Sequence, residues 1–180
     1  MARDAALMPT RVKFTTFTLP AIWTAADSQA TALDTVALIK RRIYRGLDSS
    51  GRPFLSYSTR PIYVPKKGAR LKPKGGRRAR GGRSVYYAGG YAEYKRLSRR
   101  RVAGGSNQTA EVDLTLSGAL VNNIQPLQAT RTGYIIGLTG AVRGYGYEVN
   151  ARRPFIGLSP DDVRMLTAAV AARIRKKLRR

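Results

Sequence analysis

An α+β fold, with a small antiparallel β-sheet packed against a long N-terminal helix and a C-terminal helix, is what the sequence predicts from three observations. Apolar residues recur at helical spacing in two long runs, residues 22–45 and 160–178. Segments with the threonine, tyrosine and β-branched composition of strands lie outside those runs. Between them runs a glycine- and arginine-rich stretch with little apolar surface to bury. The 180 residues, 43% of them hydrophobic, suffice for a single domain spanning 1–180 around one core.

Val12, Phe14, Phe17 and Leu19 among threonines make residues 1–20 an N-terminal arm or short strand. From Ile22 to Arg45 an alanine-rich run carries Leu33, Val36, Ala37, Ile43 and Tyr44 at helical period, and Gly46 stands where a C-terminal cap belongs. Leu38 and Ile39 lie off that stripe and mark a second face, for the domain itself or for a partner subunit. Turn residues and prolines then keep the chain irregular and extended as far as Pro65. From Lys66 to Arg83, nine of eighteen positions are Lys or Arg and five are Gly, with no acid, so residues 66–84 read as a flexible basic loop that orders against a partner.

Tyr86, Tyr87, Tyr91 and Tyr94, interleaved with Gly89 and Gly90, suit a turn packed by aromatics. Leu114, Leu116, Leu120 and Val121 suit a short helix ending before Pro126. Residues 132–138 and 145–149 read as two strands of a hairpin that turns around Gly140 to Gly144. Pro154 biases Arg153 away from helix, Phe155 and Ile156 need a surface to cover, and Gly157 permits a turn. Ser159 is placed as an N-cap and Pro160 as the first helical residue, with Asp161 and Asp162 at the first-turn amides. Leu158 and Val163 fall at the staple positions. Val163, Leu166, Val170, Ile174 and Leu178 then recur at helical spacing, and Arg173, Arg175, Lys176 and Lys177 crowd the last turns.

Thirty-four Lys and Arg against ten Asp and Glu leave a net charge of +24, which calls for a negative neighbour: nucleic acid, an acidic protein surface or an anionic membrane. No stretch approaches the roughly 18 uninterrupted apolar residues of a membrane span. The opening Met-Ala-Arg-Asp lacks the pattern of a signal peptide, which points to synthesis in a cytosol. Without cysteine there are no thiolate metal sites, and without histidine the commonest general base is missing. No catalytic residue, cofactor or metal is expected. Asp161 and Asp162 read as helix caps rather than paired catalytic carboxylates. Gly144-Tyr145-Gly146 lacks the third glycine and following helix of a dinucleotide fingerprint.

Four stretches carry a resemblance to a known family. They are the long N-terminal helix closed by Gly46-Leu47-Asp48-Ser49-Ser50-Gly51-Arg52-Pro53-Phe54; Gly89-Gly90-Tyr91-Ala92-Glu93-Tyr94-Lys95; Val112-Asp113-Leu114-Thr115-Leu116-Ser117-Gly118-Ala119-Leu120; and Arg153-Pro154-Phe155-Ile156-Gly157-Leu158-Ser159-Pro160-Asp161-Asp162. In order and spacing the chain resembles the tail-completion and virion-morphogenesis proteins of tailed bacteriophages, the head-tail joining group that includes minor tail proteins. The resemblance implies a structural protein, made in the bacterial host cytoplasm and carried in the virion neck. It implies a ring around the DNA channel, commonly six-fold, that acts in tail completion or as a tail terminator between connector or adaptor proteins and the tail tube protein. It also implies contact with genomic double-stranded DNA, and none with a membrane. Such a ring requires two different complementary surfaces on each copy.

The polyanion contacts expected on either account are Lys66, Lys67, Arg70, Lys72, Lys74, Arg77, Arg78, Arg80 and Arg83, extended by Arg99, Arg100 and Arg101. Glycine-spaced arginines position on backbones better than they hold base-edge geometry. The tyrosines from Tyr86 to Tyr94 read as packing, with base stacking as the alternative. A ribosomal or other RNA-binding protein is the rival reading, resting on the same basic segment.

Overall fold

A computed structural model of the chain describes residues 12–14, 22–68, 73–98 and 112–179. The fold is α+β. Strand β1 (Val12–Phe14) pairs antiparallel with β6 (Gly133–Leu138), which pairs antiparallel with β5 (Ile124–Thr130). Helix α1 (Ala25–Tyr44) lies across β5 and β6, and α5 (Pro160–Leu178) packs on α1. A second antiparallel sheet holds β2 (Ile62–Pro65), β4 (Ser84–Tyr87) and β3 (Arg77–Arg78) in that spatial order, with α2 (Gly90–Ser98) following β4. The short α3 (Ala119–Asn122) leads into β5, and α4 (Arg143–Arg152) follows β6 after one 3₁₀ turn.

Local chemistry sets both long helices. Thr24 caps α1 and Asp27 completes a capping box. At the other end Gly46 takes φ +74°, while the Gly46 and Leu47 amides donate to the Ile43 and Arg42 carbonyls, a Schellman stop. In α5, Ser159 is the N-cap and Pro160 sits in the first turn, as the sequence predicts, and Asp162 closes a second capping box.

The main core joins Ala32, Val36, Ile39 and Ile43 of α1 to Ile124 of β5 and to Tyr134, Ile136 and Leu138 of β6, with Phe155 and Ile156 beside them. A smaller cluster, Val64, Val85, Tyr87 and Tyr94, lies under the second sheet, and Tyr91 packs against both.

Several expectations are corrected. The buried face of α1 is turned from the predicted stripe: Leu33 is 53% exposed, and Ala37 and Tyr44 are exposed too, while Ile39 is core. Ser28, Thr31 and Thr35 fill the rest of that face, where their hydroxyls bond Trp23 Nε1, the Asp27 carbonyl, and the Thr31 carbonyl with the Tyr134 hydroxyl. Hydroxyl residues satisfied in this way are invisible to a hydrophobic period. In α5, Leu166 and Val170 are buried, whereas Val163 and Leu178, also on the predicted stripe, are exposed.

Residues 145–149 are helix, not strand: Tyr145 and Val149, four apart, both pack on the core, and the missing side chain of Gly146 lets α4 approach Leu138. The true partner of β6 is β5, whose Pro126 sits at a bulge because proline cannot donate to a ladder. The helix expected from Leu114 shrinks to four residues, since Leu114 (φ +51°) and Gly118 (φ +77°) hold left-handed conformations. Of the N-terminal arm, only β1 falls within the described residues.

Candidate polyanion-binding interface

Part of the segment from Lys66 to Arg83 is built into the second sheet. β3 lies within it and pairs with β4, through Arg77 to Tyr86 and Arg78 to Val85. The Lys66 amide donates to the Arg83 carbonyl, which extends the β2–β4 ladder. The apolar surface that orders it comes from outside the segment: Val64, Val85 and Tyr87 form a buried inner face against Tyr94 of α2. The Tyr87 hydroxyl donates to the Lys74 carbonyl at 2.8 Å, tying the middle of the segment to β4.

On this frame Lys66, Lys67, Lys74, Arg77, Arg78, Arg80 and Arg83 are all exposed. Among the described residues no ion pair holds any of them. From Ser49 to Ala92 the sequence contains no acid at all. Arg70, Lys72, Arg99, Arg100 and Arg101 lie outside the described residues.

Most of the acids among the described residues are engaged elsewhere. Asp162 pairs with Arg42 in the interior, where Arg42 also donates to the Phe155 and Gly157 carbonyls at 2.8 and 2.9 Å. Asp34 pairs with Arg173 and Asp27 with Lys177 along the α1–α5 seam. Burial would raise the Asp27 pKa, but hydrogen bonds from Lys177 and Thr24 outweigh it and hold it at about 2. Asp48 accepts the Ser50 and Arg52 amides, Glu93 accepts the Gly89 amide, and Asp161 pairs with Arg164 at the surface. The cationic hairpin therefore has few acids left to neutralise it from within.

Asp113 shows the same pattern in a buried setting. Lys95, fully buried on α2, pairs with Asp113, donates to the Tyr57 hydroxyl at 2.5 Å and lies 4.2 Å from that ring's centre. Burial acts to raise the Asp113 pKa, yet the hydrogen bond and charge of Lys95, with the Thr115 contacts, draw it below the ordinary carboxylate range. Burial and the Asp113 charge push Tyr57 up. Neither this pair nor Arg42–Asp162 was legible in sequence, because partners 18 and 120 residues apart carry no periodic signal.

The four stretches that carry the family resemblance meet in space. The Ser49 amide donates to the Pro154 carbonyl at 2.7 Å, and a side chain on Gly157 would strike Ser49. Lys95 joins the second stretch to the third at Asp113, and Leu120 at the end of the third is buried in the main core. Arg153 donates to the Leu55 and Ser56 carbonyls, and Phe155 is fully buried in the main core with Phe54. Gly90 comes so close to the backbone of Ser58 to Arg60 that no side chain fits there. Leu158 is half-buried ahead of the Ser159 cap.

A cleft of about 300 Å³ opens beside Tyr57, Tyr91, Leu114 and Tyr145, with Arg153 as its charged lining residue. Among the described residues no cluster of acids, cysteines or histidines is arranged to hold a metal ion, and no helix is long and apolar enough to cross a membrane. No protein-family model, curated protein or solved structure matches the chain.

Proposed function

We propose that the chain is a structural, non-enzymatic protein of the bacteriophage neck. It serves as a subunit of a ring, six-fold as is common in the group it resembles, that joins head to tail and completes or terminates the tail. The observation that carries this is the convergence of the four resembling stretches: residues scattered over the chain meet at two joints, Ser49 with Pro154 and Lys95 with Asp113.

The hairpin supplies the partner. Exposed cations with no acid between Ser49 and Ala92 favour a polyanion, and in a neck ring the polyanion is the double-stranded genome passing through the channel. Connector or adaptor proteins and the tail tube protein are the neighbours this location supplies.

Quantitative mass spectrometry of intact virions, separated tails and host ribosomes tests the proposal. A low, fixed copy number in virions, of the order of one ring, is expected. Absence from virions with enrichment on ribosomes would overturn it in favour of the RNA-binding alternative.

A further inference from the structure

The sheet β2–β4–β3 has two faces of different chemistry, and the outer one has no role in the fold described so far. Register places Tyr63 opposite Tyr86, and Tyr86 opposite Arg77, so the three side chains share one face across three strands. Val64 and Val85 alternate onto the other, buried face, with Tyr87. The Tyr63 and Tyr86 rings lie 5.0 Å apart, inclined at 47°. Tyr63 is 66% exposed although the cluster beneath is closed without it. A large aromatic left in solvent on an edge strand, beside an aromatic on the central strand and an arginine on the third, is a surface made for a flat, anionic partner.

Charge narrows the partner further. Lys66 and Lys67 follow directly on β2, and Arg78, Arg80 and Arg83 surround the β3–β4 turn, all exposed. Phosphodiesters supply the negative charge for these cations, and unstacked bases supply the flat apolar surface for Tyr63. Acidic protein supplies the first without the second, and duplex nucleic acid keeps its bases stacked inside. We infer that this face binds single-stranded nucleic acid, with a base stacked on Tyr63 beside Tyr86 and Arg77 and the neighbouring phosphates on Lys66, Lys67, Arg80 and Arg83. The contacts use only features that DNA and RNA share, so no selection for sequence or sugar is built into them. The inference does not rest on the neck assignment, because it uses the exposed ring, its register and the cations around it.

The test is fluorescence anisotropy with the full chain and four probes: a twenty-residue oligo-dT, the matching oligo-U, a twenty-base-pair DNA duplex and polyglutamate. Tyr63→Ala is expected to weaken oligo-dT and oligo-U binding on the order of ten-fold while leaving the duplex and polyglutamate unchanged, and Tyr63→Phe is expected to bind like the parent. Arg80→Ala is expected to weaken binding to all four probes and to lower the salt slope on the nucleic acids. Tyr63 is exposed, so its truncation leaves the core intact, as unchanged circular dichroism and melting would show. An oligo-dT carrying 5-bromouracil should also crosslink to Tyr63 on irradiation. Equal losses on single strand and duplex, or no effect of Tyr63→Ala on oligo-dT, would overturn the inference and leave a purely electrostatic surface. Failure of the neck assignment would appear separately, in virion composition.

Discussion

Asp162 performs two tasks with one carboxylate. It returns the capping-box bond to the Ser159 amide and neutralises Arg42 in the interior, whereas its neighbour Asp161 is 74% exposed and pairs with Arg164 on the surface. The two acids stand side by side in sequence, yet one is buried and the other exposed. Replacing Asp162 with Ala leaves a buried guanidinium without its counter-charge and is expected to cost about 3–5 kcal/mol, measured by urea denaturation. Asp161→Ala is expected to change stability by no more than about 0.5 kcal/mol in the same assay, because exposed pairs contribute little. Similar losses for both variants would show that the α5 N-terminus, not the buried pair, is what matters.

At the scale of elements, the α1–α5 seam is built from a short apolar stripe and three ion pairs. Leu166 and Val170 are the buried apolar residues of α5, and Arg42–Asp162, Asp34–Arg173 and Asp27–Lys177 run from one end of the seam to the other. The Asp27 pKa of about 2 makes one of these legible in a pH titration. A carboxylate whose folded pKa is depressed stabilises the fold above its unfolded pKa, about 4 for an aspartate, and loses that contribution as pH falls through the folded value. The parent should therefore exceed Asp27→Asn in melting temperature at neutral pH, and the gap should close as pH falls from about 4 towards about 2. A gap independent of pH would locate the effect in the Thr24 cap geometry and not in charge.

At the scale of the molecule, Phe155 anchors the segment ahead of α5 in the main core. It is fully buried among residues of α1 and the main sheet, and its backbone holds both Arg42 and Asn150. Phe155→Ala is expected to lower stability by about 3–5 kcal/mol in denaturant unfolding. In a phage carrying it, the neck proposal expects tailless heads and unattached tails in electron micrographs. A normal yield of intact virions from a chain destabilised to that extent would count against the neck role. The surface sets the other whole-molecule property: with a net charge of +24 and exposed cations along the Lys66 to Arg83 segment, binding to any polyanion should fall steeply with salt.

The two long helices, the Gly46 stop, the Ser159 cap and the charge asymmetry were determined by the sequence alone, because caps, stops and composition are local properties. The tertiary structure decided which face of α1 is core, since Ser28, Thr31 and Thr35 become apolar in effect only once their hydroxyls find partners. It decided that β6 pairs with β5, because a proline at a bulge and a glycine under Leu138 mislead any reading of period. Above all it sorted the tyrosines. Tyr87 and Tyr94 went inside with Val64 and Val85, while Tyr63 was left out with Arg77. Residue type is the same in each case, and only strand register and what packs beneath distinguish a core ring from an exposed one.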